Sequence, residues 1–286
     1  MIPSKPLCPI IPHPKPQRLP RWKSMSINLG RLCANGVIVL ADTCSYLRDG
    51  TTRRDKKIVH FDGEHIALAI ADTSDDADAA KTLLNEIGSH LLANAKSWKD
   101  VETIIKADMT DWHRAFRKTP PTLFTGGILL KREKPEFVLC SLAPPRTITS
   151  HREGYVANGA GAWITDLIYD MLFQHGPGSS HPQIALRESA YLLYRADKAN
   201  SFCRGIDGYY LDAKQRRLQH LDASDLKNAM DSSFQIDLAL QTSMPALLAG
   251  GKWLESNATA ARNTLLSCEK IRNIVFHDVA GNEIGA

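Results

Sequence analysis

The sequence has 286 residues, of which 43% are hydrophobic and 23% are charged, as in an ordinary globular protein. Its apolar runs are too short to span a bilayer, so a membrane protein is not predicted. The formal charge is +4, but residues 1–25 carry five Lys or Arg and no acid. Without that segment the charge is −1, which gives nucleic-acid binding little support.

The six cysteines are scattered and form no CxxC pair and no Cys/His spacing suited to zinc. This pattern indicates a reducing compartment, and we predict a cytoplasmic protein without metal or cofactor. The sequence also lacks the HExxH motif of zinc peptidases and the GxSxG nucleophile elbow of serine hydrolases.

Three segments are predicted along the chain. Residues 1–25 are rich in proline and basic residues, which predicts a disordered leader. Residues 26–222 form the main domain, and residues 223–286 form a helical extension packed on it. The leader could be a propeptide removed by self-cleavage, or translation could begin at Met25, followed by loss of that methionine. If it stays attached instead, Ser26 is an ordinary strand residue.

The main domain opens with a hairpin that carries two candidate site residues. The segment SINLGRLCANGVIVLAD begins at Ser26 and ends at Asp42, with a tight turn at the Asn-Gly dipeptide between two apolar strands. Lys57 then leads the strand KIVHF. A hydroxyl, a carboxylate and an ammonium at neighbouring strand ends are the groups that an amine-activated hydroxyl nucleophile needs.

The remaining elements follow from hydrophobic period and turn signals. KIVHFD and HIALAIA form a second hairpin, and a helix begins near Ser74. Ser97 caps the next helix through the capping box SWKD. Further elements are strands at 123–131, 136–142 and near 147 and 155, helices at 161–174 and 184–200, and the hairpin GYYLDAKQRRLQHLD. This order predicts an α+β fold with two antiparallel sheets between helix pairs, a four-layer αββα sandwich.

The stretch from about Ser26 to Asp222 resembles the β-type subunits of the 20S proteasome and their bacterial relatives, members of the N-terminal-nucleophile (Ntn) hydrolase superfamily. The matching segments are Gly30, NGVIVLAD, Lys57 with its neighbours, HIALAIADTSDDADAAKTLL, NGAGAW and RADKAN. The resemblance implies the same αββα fold. It also favours translation from Met25, because this methionine stands where the family has the glycine that precedes its cleavage point.

The resemblance implies a role for each candidate site residue. Ser26 would be the nucleophile and its α-amine the base, Lys57 would activate both electrostatically, and Asp42 and Asp197 would orient them. The backbone N–H of Asp72 would bind the oxyanion.

Three positions depart from the family. Asp72 stands where the family has glycine, and a carboxylate there would oppose a developing oxyanion. Ala160 and Asn200 replace two serines that orient the terminal amine. Asn200 can still form a hydrogen bond to the amine, whereas the side chain of Ala160 cannot.

The main functional hypothesis is a proteasome-like serine- or threonine-type peptidase that cleaves peptide or other amide bonds through Ser26. One alternative is a non-catalytic structural subunit of a proteasome-like ring, and another is an amidase that acts on a small molecule. The family also implies a peptide or protein substrate and self-assembly into a ring, while an ATPase partner is left open.

Overall fold

The structure is a computed structural model that describes residues 26–46, 52–72, 77–116, 124–143, 147–151, 154–173, 181–199 and 204–222, together with scattered positions from 224 to 237 and residues 276–277 and 283–284. In chain order the elements are β1 (Ile27–Cys33), β2 (Gly36–Ala41), β3 (Cys44–Tyr46), β4 (Thr52–Arg54), β5 (Ile58–Asp62), β6 (Ile66–Ala71), α1 (Ala77–Asn94), α2 (Trp98–Phe116), β7 (Phe124–Leu130), β8 (Glu136–Ala143), β9 (Thr147–Ser150), β10 (Tyr155–Gly159), α3 (Ala162–Leu172), α4 (Pro182–Ala199), β11 (Asp207–Asp212), β12 (Arg217–His220), β13 (Phe276–His277) and β14 (Glu283–Ile284).

Two five-stranded antiparallel sheets form the centre of the fold. The first has the strand order β10-β1-β2-β11-β12, and the second has the order β5-β6-β7-β8-β9. The inner faces of the two sheets meet in an apolar cluster that includes Val37, Val39, Ala69 and Leu129. β2 and β6 are buried throughout, because each lies between two strands and is covered on both faces.

A pair of helices covers the outer face of each sheet. α1 and α2 pack on the second sheet through a cluster that includes Leu83, Ile87 and Ile105, and α4 packs on the first sheet through Leu186 and Ala190. α3 lies beside α4 over β10. The predicted αββα sandwich is therefore confirmed. No helix within these described ranges is long and apolar enough to cross a membrane.

Most predicted elements agree with the structure to within a few residues. The N–H of Asp100 donates to Ser97 Oγ at 3.2 Å, which confirms the serine cap of α2. The predicted start of α1 near Ser74 lies outside the described residues. The short hairpin of β3 and β4 was not predicted, because strands of three residues are too short to show an alternating pattern.

Only a few positions of the predicted C-terminal extension are described. Several positions between 224 and 237 are helical. The carboxylate of Asp237 accepts hydrogen bonds from Tyr191 and Arg195 of α4, at 2.9–3.0 Å. These bonds tie this part of the extension to the main domain.

Candidate active site

Lys57 lies at the centre of the candidate site, directly before β5 of the second sheet. Its ammonium group donates to Ser26 Oγ at 2.8 Å, to Asp42 Oδ2 at 2.7 Å and to the backbone carbonyl of Cys44. An ammonium has three N–H donors, so all of them are used. The side chain is only 4% exposed, and a charge this deeply buried needs a counter-ion.

Asp42 supplies that counter-ion from the end of β2, and it is 1% exposed. Oδ1 accepts the backbone N–H of Ile27 at 2.7 Å, and Oδ2 accepts that of Cys44 at 3.1 Å as well as the Lys57 ammonium. Burial raises the pKa of Asp42 to about 6, although Lys57 and the two N–H donors act to lower it. At neutral pH the carboxylate is therefore largely ionised and can hold Lys57 in place.

Ser26 is half-buried and directly precedes β1. Its carbonyl accepts the backbone N–H of Ala160 at 2.8 Å, which extends the pairing between β1 and β10 to the first described residue. Gly159 makes this close approach possible. Its φ is +106°, and a Cβ at this position would lie 1.9 Å from the carbonyl oxygen of Ser26. The backbone of Ser26 is thus fixed while its hydroxyl points to Lys57.

Asp197 lies in the last turn of α4 and is half-buried. Burial raises the pKa of its carboxyl group, whereas Arg204 and Lys198 act in the opposite direction. The Asp197 carboxylate also helps to raise the pKa of the nearby Cys44 thiol, after burial and Asp42. Among the described residues no hydrogen bond or ion pair joins Asp197 to Ser26, Asp42 or Lys57, so its orienting role stays a prediction.

The other two predicted residues are placed differently. Asp72 is buried at the end of β6, and its backbone N–H donates to the carbonyl of Lys57 at 3.3 Å. This N–H, the predicted oxyanion donor, therefore already donates a hydrogen bond to the backbone of Lys57. Asn200, the predicted partner of the amine, lies outside the described residues.

Several backbone groups of the site were not predicted from the sequence. The N–H and carbonyl of Cys44 contact Asp42 and Lys57, and the N–H of Ala160 holds Ser26. Any residue type supplies a backbone group, so no side-chain pattern reveals it. The glycine-rich segment NGAGAW was the one signal of an unusual backbone conformation near Ser26.

The arrangement is one that can activate a hydroxyl group electrostatically. An ammonium 2.8 Å from Ser26 Oγ would stabilise an alkoxide there, and it would lower the pKa of a neighbouring amine by like-charge repulsion. Within the described ranges, no group of three or more His, Cys, Asp or Glu side chains is placed to hold a metal ion.

Comparison with known proteins gives matches at the level of structure. No protein-family model matches the sequence, and no curated protein matches it. An Anbu (Gly-1) mutant from Hyphomicrobium sp. strain MC1 superposes with a TM-score of 0.63 and 14% identity, over 78% of this chain and 99% of that one. Anbu (ancestral beta-subunit) from Yersinia bercovieri gives 0.61 and 9%, over 79% and 97%. The chain has the fold of the Anbu proteins.

A third structure, described as a helical assembly of the Anbu complex from Pseudomonas aeruginosa, gives a TM-score of 0.62 and 12% identity, over 77% of this chain and 96% of that one. Anbu proteins are proteasome-like but form a distinct family. The prediction that this chain is a 20S proteasome β-subunit-like protein is therefore wrong. The segments that carried the resemblance belong to a fold common to both groups, and at this level of identity they cannot separate one group from the other.

Proposed function

We propose that this chain is a subunit of a self-assembling, proteasome-like complex and that it hydrolyses amide bonds through Ser26. Self-assembly is supported by the likeness in fold to Anbu structures, one of which is a helical assembly. Hydrolysis is supported by one observation above all. The buried Lys57 ammonium lies 2.8 Å from Ser26 Oγ and 2.7 Å from the Asp42 carboxylate.

In the proposed reaction Ser26 is the first residue of the mature chain. Its α-amine takes the hydroxyl proton as Oγ attacks the carbonyl carbon of the substrate, and the Lys57 ammonium stabilises the developing charge. The C–N bond then breaks, and the leaving amine takes the proton. Water, activated by the same α-amine, hydrolyses the resulting ester and restores Ser26. Asp42 keeps Lys57 in place throughout.

The mechanism requires that Ser26 becomes the N-terminus, so the segment boundaries form part of the proposal. Residues 1–25 would be absent from the mature chain, because they are either removed or not translated. Residues 26–222 would form the hydrolase domain, and residues 223–286 would form an extension of it. Asp197 and Asn200 would orient the new amine, and the N–H of Asp72 would bind the oxyanion after it leaves the Lys57 carbonyl.

A non-catalytic subunit with the same fold is the second candidate, and specific observations favour it. Asp72 is buried, and a carboxylate on the residue whose N–H is expected to bind the oxyanion would disfavour the build-up of negative charge there. Ala160 has no side-chain group to bind the amine. In this case the Lys57–Asp42 pair would hold the two sheets together, and the protein would act through assembly alone.

Two forms of the chain would separate these candidates. The first form begins at Ser26 and is released by cleaving off a removable fusion partner. The second form begins at Met1 and keeps residues 1–25 because their removal is prevented. Each is treated with a β-lactone or epoxyketone probe, and intact mass spectrometry counts the adducts. We expect one adduct on the Ser26-terminal form, none on the Met1 form and none on Ser26→Ala, while Ser26→Thr keeps the adduct because it retains a hydroxyl group.

Light scattering of the same samples tests assembly independently of chemistry. Assembly without an adduct on the Ser26-terminal form would reject the hydrolase and leave the structural subunit. A monodisperse monomer at micromolar concentration would reject the proposed self-assembly.

A further inference from the structure

A row of side chains crosses the first sheet at Asn28, two residues after Ser26. Asn28 of β1 pairs with Asn158 on one side and with Ala41 on the other, and Ala41 in turn pairs with Asp207 of β11. Residues directly opposite one another in a sheet share a face. Ala41 belongs to the apolar cluster between the sheets, so the whole row faces the second sheet.

Two members of this row have buried polar atoms that no described residue satisfies. Asn28 is 0% exposed, and neither its Nδ2 nor its Oδ1 has a hydrogen-bond partner among the described residues. Asp207 pairs through Oδ1 with His220 Nε2 at 2.9 Å, but its buried Oδ2 has no such partner. More than nine in ten buried polar groups in native proteins have a partner, which is often an internal water molecule.

The side chain that separates these two residues is small. Adjacent strands lie about 4.8 Å apart, so the backbones of Asn28 and Asp207 are roughly 10 Å apart across β2. The residue between them is Ala41, whose side chain is a single methyl group. An internal water molecule needs two to four polar partners, and Asn28 offers both a donor and an acceptor while Asp207 offers an acceptor.

We propose that Asn28 is a positioning residue that, together with Asp207, holds ordered water across Ala41 and so hydrates the buried Lys57–Asp42 pair. Ser26, whose hydroxyl accepts a hydrogen bond from Lys57, is two residues before Asn28, so both side chains point to the same face and this water would lie beside the ion pair. The effect on reactivity rests on the proposed hydrolase function, whereas the water itself does not.

The physical effect would act on the ionisation of Asp42. Burial is the largest influence on its pKa, and nearby water reduces the penalty for keeping the carboxylate charged. The charged or titratable groups that face this region are Lys57 before β5, His60 on β5, Asp42 after β2, Asp207 on β11 and His220 on β12, and Arg204 and Asp197 act on the neighbouring Cys44. Loss of the water would favour protonated Asp42 and so loosen its hold on Lys57.

The test replaces Asn28 by leucine, which has the same number of side-chain heavy atoms but no polar ones. Replacing an amide and its water by a well-fitting apolar group is close to neutral for stability. We therefore expect Asn28→Leu in the Ser26-terminal form to keep or raise the Tm. The rate of probe labelling should fall about tenfold, which corresponds to the free energy of one good hydrogen bond. The acid limb of the pH profile of labelling should also move to higher pH.

Thr165→Val is the matched control, because Thr165 is also fully buried but its hydroxyl already donates to the carbonyl of Ala162 at 2.8 Å. This change should lower the Tm slightly and leave both the labelling rate and its pH profile unchanged. If Asn28→Leu lowers the Tm together with the rate, or leaves the rate and pH profile unchanged, the positioning role is overturned.

A high-resolution crystal structure of the unaltered Ser26-terminal chain tests the water itself, including the case in which Asn28→Leu does not fold. Ordered water bonded to the Asn28 amide and to Asp207 would support the proposal, and its absence would overturn it. If the unaltered chain takes up no probe, the proposed hydrolysis fails, and the crystal structure and Tm decide the hydration site on their own.

Discussion

Removal of the Lys57 charge gives the most direct test of the proposed chemistry. In Lys57→Met the ammonium is lost, while Asp42 stays 1% exposed and without a counter-ion. At 2.7 Å and an effective dielectric constant of about 20, the attraction between the two charges is roughly 6 kcal/mol, much of which offsets the cost of burying them. Removing one partner of such a pair typically destabilises a protein by about 3–5 kcal/mol.

The effect of Lys57→Met on the labelling rate should be separable from its effect on stability. Loss of an electrostatic stabiliser beside a developing oxyanion lowers rates by about 100- to 1,000-fold. We expect that decrease in the labelling rate of Lys57→Met in the Ser26-terminal form, measured by intact mass over time at a temperature where the variant remains folded. The double variant Asp42→Asn/Lys57→Met removes both charges, so it should recover most of the stability but none of the labelling.

Lys81→Met provides the control for Lys57→Met. The Lys81 ammonium lies 2.6 Å from Asp55, but its side chain is 28% exposed, so its loss should cost less than about 1 kcal/mol and leave labelling unchanged. A folded Lys57→Met variant that labels at the unaltered rate would refute the mechanism, because the ammonium would then have no influence on Ser26.

Three further predictions concern other parts of the site and fold. Because burial raises the pKa of Asp42 to about 6, its carboxylate is lost as the pH falls through 6, so labelling of the Ser26-terminal form should decrease between pH 7 and pH 5. Glu188→Ala leaves Arg31 buried without the carboxylate now 2.8 Å away, which should cost about 3–5 kcal/mol and lower the Tm by roughly 10 °C in thermal unfolding. Gly159→Ala places a Cβ against the Ser26 carbonyl at a positive φ and should lower labelling at least about tenfold, whereas Gly126→Ala makes only ordinary contacts of 3.4 Å or more and should not.

Each of these has a result that would contradict it. A labelling rate that stays constant down to pH 4.5 would show that ionised Asp42 is not needed. Arg53→Ala is the control for Glu188→Ala, because it removes an ion pair whose arginine is 50% exposed. If the two variants lose the same stability, burial does not determine how much stability the loss of an ion pair costs. Equal labelling of Gly159→Ala and Gly126→Ala would show that the close approach to Ser26 does not matter.

The sequence predicted most of the fold because its local patterns agree with its tertiary structure. The apolar stripe of α1 and the alternation of β5 can each be read from the residues alone. The hairpin of β1 and β2 followed from the Asn35-Gly36 turn, which lies where the structure has the turn between them. The hairpin of β3 and β4 could not be predicted, since three-residue strands have no readable period.

The site was only partly predictable for a different physical reason. Ser26, Asp42 and Lys57 stand at strand ends, so predicting the strands also predicted that these residues lie close together. Their roles remain predictions. The contributions of Cys44 and Gly159 come from backbone atoms and backbone conformation, which side-chain patterns do not encode. The 20S proteasome resemblance failed because the motifs that carried it describe the shared sandwich.

The bonds of Lys57 have a consequence for when the candidate site forms. Lys57 enters from the second sheet, whereas Ser26 and Asp42 belong to the ends of strands in the first. Neither half of the sandwich can therefore assemble the reactive centre alone. Under the proposed mechanism, a nascent or partly unfolded chain would hold an inactive serine, and reactivity would appear only when the two sheets dock.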